Sequence, residues 1–341
     1  MLVLSGAACA GDASQERGEG EGDADPFRVA LLTAGPVSDA GWYAGAYEGL
    51  LLIQDSLGAR VSHQQTRSPA EFDEAFFSYA SSGYDLIFAH GFEYQDAAVR
   101  AGEQFPEVTI VVSAGGRVSE NVFPLIYRLE EASYLAGMVA GWMTVSGTVG
   151  MVGGVAIPPA VGTFRAFEAG AKSTNPGVTV LEAFIGSWDD VAAAKEAAVA
   201  QLRRGADVLI HNTDAASFGV FQAVREVSEA GGTAWALGMN RDQNDVAPEI
   251  TLGSAIIRIP RSFVEVARAY LEGTLGQGAI YNDLANGGVE FVPSPRHAEL
   301  FTPEILSALE EARAGIKEGS LDIPRIRFVE SEEEPVGSRD R

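Results

Sequence analysis

The sequence predicts an α/β protein of two doubly wound lobes joined by a hinge, and three observations predict it. Short β-rich apolar runs alternate with amphipathic stretches, the signature of parallel βαβ units. The whole set occurs twice along the chain. A length of 341 residues with 46% hydrophobic and 21% charged residues supplies core enough for two packed units.

The first set of strand-like runs is "VALLT" (29–33), "ARVSHQ" (59–64), "DLIFAH" (85–90) and "TIVVSA" (109–114). Between the second and third runs a helix is signalled by Ser68 as N-cap, Pro69 in the first turn and Glu71 as capping-box acid, ahead of Phe72, Ala75, Phe76 and Tyr79, with Gly83 ending it. "IYRLEEASYLAGMVAGWM" (126–143) then mixes small and large apolar residues, suiting a tightly packed helix at the start of the second unit. The second set is "TVGMVGG" (148–154), "VTVLEAF" (178–184), "DVLIHN" (207–212) and "TAWALGM" (233–239), separated by helical patterns such as "SWDDVAAAKEAAVAQLRRG". "GSAIIRIPRSFVEVARAYLEG" adds a strand and a helix, and "GGVEFVP" a further strand. The expected division is a leader and linker over 1–26, a first Rossmann-like lobe of 27–127 plus 256–280, a second of 128–255 plus 281–328, and an acidic tail over 329–341. Hinges are expected near Tyr127, Ala255 and Tyr281.

A formal charge of −23 repels phosphate backbones and argues against a nucleic-acid polymer as partner. The acidic extremes "EGEGDADP" and "ESEEEP" read as solvated tails. The single cysteine, Cys9, lies in "LVLSGAACAG", a short apolar run that looks like the end of a lipoprotein signal whose basic start lies upstream of the given Met. Cys9 is therefore the expected lipidation site. One cysteine makes no disulfide and no cysteine-based metal site.

Catalytic patterns are missing from the sequence. The four histidines, His63, His90, His211 and His297, have no metal-ligand spacing, and there is neither a G-x-S-x-G elbow nor a P-loop. "GTVGMVGG" misses the dinucleotide-binding spacing and reads as close packing at a strand end. No catalytic residue, metal or cofactor is expected. A binding function is.

Doubly wound sheets bind ligands beyond the carboxyl ends of their strands. Those positions hold Ser38 and Asp39 after the first strand, Ser113 after the fourth, Asn212, Thr213 and Asp214 in the second set, and Asn240 and Asp242 in "LGMNRDQND". They form a set of short hydrogen-bonding groups without a cation cluster, which suits a neutral polyhydroxylated or heterocyclic ligand. Trp42, Tyr43, Phe92 and Phe218 lie in the same loops and could stack on a ring or serve the core. His90 ends a buried-strand pattern and reads as a hydrogen-bonded cleft-wall residue.

At these residues the sequence resembles the basic membrane protein group of ABC-transporter solute-binding lipoproteins, which includes the purine-nucleoside receptors of spirochaetes. The resemblance spans roughly residues 27 to 293. "VALLTAGPVSDAGWYAGAYEGL", "DLIFAHGFEYQDAAVRAGEQFPEV", "LEEASYLAGMVAG", "VGMVGGVAIPPAVGTFRAFEAGAKSTNPGVTV", "RRGADVLIHNTDAASFGVFQAV" and "ALGMNRDQN" follow one another in the family's order. It implies a type I periplasmic-binding fold whose lobes close on a nucleoside, with permease and ATPase subunits as partners and a lipid anchor in the cell envelope. Carried over by position, Trp42 is the stacking aromatic and Asp39 a base or sugar contact, while Ser113 and Asn240 stand where the family has acids. The lysine of the nucleoside receptors falls near Ile257, with Arg258 beside it. Those departures weaken ribose recognition and leave a free nucleobase or another small heterocycle open. The alternatives are a ligand-sensing module of the same fold and an enzyme such as a nucleoside hydrolase, which would need a metal-binding aspartate cluster.

Overall fold

In the computed structural model, residues 25–39 and 41–330 are described; Cys9 and the acidic tail beyond Glu330 lie outside them. Two six-stranded sheets form the frame. The first contains β1 (Arg28–Thr33), β2 (Arg60–Gln65), β3 (Leu86–His90), β4 (Thr109–Ser113), β5 (Val122–Tyr127) and β11 (Ile280–Asn282), in the order β11-β5-β4-β3-β1-β2 and parallel throughout. The second contains β6 (Thr148–Gly153), β7 (Thr179–Phe184), β8 (Val208–Asn212), β9 (Trp235–Asn240), β10 (Thr251–Ile257) and β12 (Val289–Pro293), in the order β12-β10-β9-β8-β6-β7. Only β12 runs antiparallel.

Helices α1 (Trp42–Leu57) and α8 (Ile259–Leu271) pack together beside the first sheet, where the stacked rings of Phe88 and Phe263 join β3 to α8, while α2 (Pro69–Ser81) and α3 (Gln95–Gln104) pack together in a separate cluster of the same lobe. In the second lobe α4 (Leu129–Met143) packs on α5 (Pro158–Thr174), and α6 (Val191–Arg203) on α7 (Ser217–Glu229); α9 (Pro303–Glu318) follows β12. The α2 start follows its sequence signals: the Ser68 hydroxyl accepts from the Glu71 N–H, while the Glu71 carboxylate accepts from the Arg67 N–H at 2.7 Å. The α4–α5 contact explains the small residues of "YLAGMVAG". A Cβ on Gly137 would lie 2.1 Å from the Phe167 carbonyl oxygen, and one on Gly170 2.0 Å from that of Tyr134, so these helix backbones touch. Among the described residues no helix is long and apolar enough to cross a membrane.

Both sheets repeat one winding, so each has a switch point where neighbouring connections diverge, between β1 and β3 and between β6 and β8. The chain passes between lobes after Tyr127, after Ile257 and between Asn282 and Val289. These passages are tied together: the Arg128 N–H donates to Asn282 O (2.7 Å), the Arg258 N–H to Gly288 O (2.9 Å) and the Leu284 N–H to the Glu131 carboxylate (2.8 Å). A fourth passage lies downstream of the expected hinges. Residues 320–330 run back from α9 as a strap, pinned by Arg325 to Glu131 (2.6 Å) and by the Glu330 N–H to Gly116 O (2.9 Å).

Candidate functional site

The loop after β1 must turn sharply into α1, whose first N–H groups have no partners inside the helix. Asp39, 2% exposed, supplies them: its carboxylate accepts from the N–H groups of Gly41 (3.1 Å), Tyr43 (2.8 Å) and Ala44 (2.8 Å). A charged acceptor at a helix N-terminus also meets the favourable end of the dipole. Asp39 thus fixes where α1 begins, and α1 begins with Trp42.

The Trp42 indole lies flat against the His90 imidazole, with ring centroids 3.9 Å apart and 27° between planes, and meets Tyr127 edge-on at 5.9 Å. His90 is fully buried at the end of β3. Its Nε2 lies 3.1 Å from the Trp42 carbonyl, which can only accept, so Nε2 carries the proton and Nδ1 accepts from the Ser113 hydroxyl at 2.8 Å. Desolvation pulls the His90 pKa down to about 3. The imidazole is therefore a neutral, oriented plate behind the indole. Ser113 acts one layer further back.

The second lobe contributes different groups. Asn212 ends β8 and donates to the Thr163 hydroxyl at 3.2 Å; Asn240 ends β9 and donates to Asp214 at 3.0 Å. Trp188, in the loop after β7, packs over Gly154, where a Cβ would lie 2.2 Å from the indole. Among the described residues, the non-glycine residues with positive φ are Ala114 (60°), Asp214 (45°) and Asn240 (70°), and all three line the cleft between the lobes. Backbone held in this region costs energy and concentrates where function needs an unusual side-chain direction.

The cleft encloses about 650 Å³, including space open to solvent. Trp42 and Tyr43 enter it from α1, Phe92 and Glu93 from the turn after β3, Tyr127 and Ile257 from the crossings, Trp188, Asn212, Asp214 and Asn240 from the second lobe, and Phe328 from the strap. A second chamber adjoins it through Tyr43, Glu93, Trp188 and Asp214, and reaches Asp39 and Asp189. Burial, then the charges of Asp39 and Glu93, push the Asp214 pKa well above the ordinary carboxylate range. Burial also raises Glu93, although its side chain meets water within the cleft, and holds the Tyr43 phenol protonated. Among the described residues no group of His, Cys, Asp and Glu side chains is arranged to hold a metal ion.

Of the residues read from sequence, Trp42, Tyr43, Phe92, Asn212, Asp214 and Asn240 meet in the main cleft and Asp39 in the adjoining chamber. The others lie off the wall. His90 and Ser113 form the layer behind Trp42, and Thr213 is fully buried. Phe218 is 42% exposed on α7, Ser38 is exposed, and exposed Asp242 closes a turn by accepting from the Asn244 N–H. His90 and Ser113 close their strands and the other four follow one, and the local backbone aims each inward to the core or outward to water. Sequence reasoning passed over Trp188, Glu93, Tyr127 and Phe328. Trp188 carried a usable signal, since "GSW" directly follows the β7 run; Phe328 carried none, because the strap returns from the far end of the chain.

A purine-binding protein of Brucella abortus is 27% identical over 301 residues, covering 87% of this chain and 83% of its own length. The transcriptional activator protein Med of Bacillus subtilis is 26% identical over 264 residues, covering 77% and 81%. A solute-binding protein of an ABC transporter system from Aeropyrum pernix superposes with a TM-score of 0.79 at 21% identity, over 87% of this chain and 93% of that one, and shows the same two-lobed type I periplasmic-binding architecture. Residues 27–324 match the family model described as ABC transporter substrate-binding protein, PnrA-like. With that match spanning both lobes and the cleft between them, the chain belongs to this Bmp family of ABC-transporter substrate-binding proteins.

Proposed function

We propose that this protein captures a purine nucleoside or free nucleobase between its lobes and hands it, chemically unchanged, to an ABC permease and its ATPase. The observation that carries the reading is the pair of indoles, Trp42 and Trp188, entering one cleft from opposite lobes with the polar edge of Asn212, Asp214 and Asn240 beside them. A flat ring stacks on the faces, and its edge nitrogens and exocyclic groups meet the amides and the carboxyl. The name of the Brucella relative, a purine-binding protein, agrees with this. Closure would bend the crossings after Tyr127, after Ile257 and between Asn282 and Val289, the second and third of which lie just beyond the hinges expected at Ala255 and Tyr281 because β10 and β11 run past those residues. Lipidation at Cys9 would tether the protein to the envelope.

Mass spectrometry of small molecules released from the purified protein, followed by calorimetric titration with inosine, adenosine and adenine, tests this. Binding of at least one, with no free hypoxanthine formed from inosine, is the expected result. Failure of all three to bind would remove the purine assignment, and hypoxanthine release would make the protein an enzyme. The Bacillus relative's name favours a second reading, a ligand sensor that signals without transport. Loss of purine uptake on deleting the gene separates the two.

A further inference from the structure

We propose, resting on the reading of this cleft as the ligand site, that the flat ring it takes carries a delocalised positive charge, as an N-alkylated purine or a related cationic N-heterocycle does. Trp42, Trp188, Phe92, Tyr127 and Phe328 present aromatic side chains to one cavity. Asp39, Glu93, Asp189 and Asp214 line the two joined chambers, and among the described residues no Lys, Arg or His side chain lines either. The three arginines that follow strand ends here are engaged elsewhere: Arg241 pairs with Glu48 at 2.7 Å, Arg258 with Glu290, and the Arg128 guanidinium lies over the Tyr281 ring at 4.5 Å. A neutral purine would leave this charge imbalance standing.

Asp214 points most directly to a cation. It is 8% exposed, its Oδ1 accepts from Asn240 at 3.0 Å, and among the described residues nothing donates to its Oδ2. Buried carboxylates are ordinarily paired. Glu93 is folded over Gly91, where a Cβ would lie 2.6 Å from its carboxyl, so a side chain at position 91 would displace that acid from its present place. A compact metal ion does not fit, for the acids are not arranged as ligands. An aromatic cage backed by carboxylates instead suits a large, weakly hydrated organic cation, whose charge meets the ring faces.

Two matched pairs test this on the intact protein: 1-methyladenosine, a cation at neutral pH, against adenosine, and 1-methylnicotinamide against nicotinamide. The expected result is that the charged member of at least one pair binds about tenfold tighter or more, and that Glu93→Gln, checked for folding by thermal melt, shrinks that ratio several-fold. The groups facing Asp214 are Asp39 and Glu93, both acids, and the Tyr43 phenol, with Asn240 as neutral donor. Cation affinity should therefore rise as pH climbs above the ordinary carboxylate range and Asp214 and Glu93 ionise, with proton release on binding, whereas a neutral ring accepting from a protonated carboxyl would lose affinity over the same rise. Equal binding of the charged and neutral members in both pairs would overturn the inference, and with adenosine among the binders would leave the purine reading standing. Binding of 1-methylnicotinamide with neither purine would do the reverse. No binding by any of the four would overturn both.

Discussion

The two lobes share one winding but furnish the cleft differently. The first offers a rigid face: Asp39 fixes the start of α1, and Ser113 and neutral His90 hold the Trp42 indole from behind, each group buried and hydrogen-bonded. The second offers an edge: Asn212, Asp214 and Asn240 project into the cleft, two of them from left-handed backbone, with Trp188 carried on a loop. One half is layered for position, and the other presents polar groups to the cleft. A repeated architecture can thus divide shape and polarity between its copies.

The largest expected effect is on the layered side. Asp39→Ala leaves three N–H groups at the α1 start without their charged acceptor, and should lower stability by about 2–4 kcal/mol in chemical denaturation. A loss under about 0.5 kcal/mol, with ligand affinity abolished, would instead make Asp39 a ligand contact first.

Next comes the joint between the lobes. Burial pushes the Glu130 carboxyl up to about 7, against the pull of Arg325 beside it. A folded-state pKa above the unfolded value means that this contribution to stability is present below the ordinary Glu value and is lost as pH rises through about 7. Unfolding free energy in chemical denaturation should fall across that window by an amount on the order of 1–3 kcal/mol, and Glu130→Gln should flatten the profile. An equally steep profile in the variant would assign the titration to another group.

The face itself is tested by Trp42→Ala, which should weaken ligand binding by about 1–3 kcal/mol in calorimetry. Trp188→Ala, on a loop and without a second ring stacked behind it as His90 is behind Trp42, should cost less. The reverse order would place the main stacking surface in the second lobe. The smallest effect is expected from Arg241→Ala, which removes the ion pair with Glu48 between the lobes; both partners are exposed, so about 0.5 kcal/mol or less is at stake. A larger change in affinity would identify this pair as a latch on the closed form.

The sequence carried most of the frame: ten of the twelve described strands stand out near their observed places, the buried parallel ones as continuous apolar runs. β5 did not, since Pro124 sits inside "VFPLIY" and a strand interior disfavours proline. β11 is three residues long and gives no periodicity. Strand-end loops were legible as the lining of the cleft, but side-chain direction within them was not. Asp214 and Phe218 are four positions apart in one segment, and only the positive φ at Asp214 turns its carboxyl into the cleft while Phe218 faces out. Glu93 and Phe328 were beyond sequence reading because one depends on folding over Gly91 and the other on the strap's return path.

The most direct test is a crystal structure of the protein with its co-purified or added purine-type ligand. The expected result is a planar ring between Trp42 and Trp188, with its polar edge within hydrogen-bond reach of Asn212, Asp214 or Asn240. A ligand bound outside the interlobe cleft, or one in it that touches neither indole, would contradict the division of labour between the lobes.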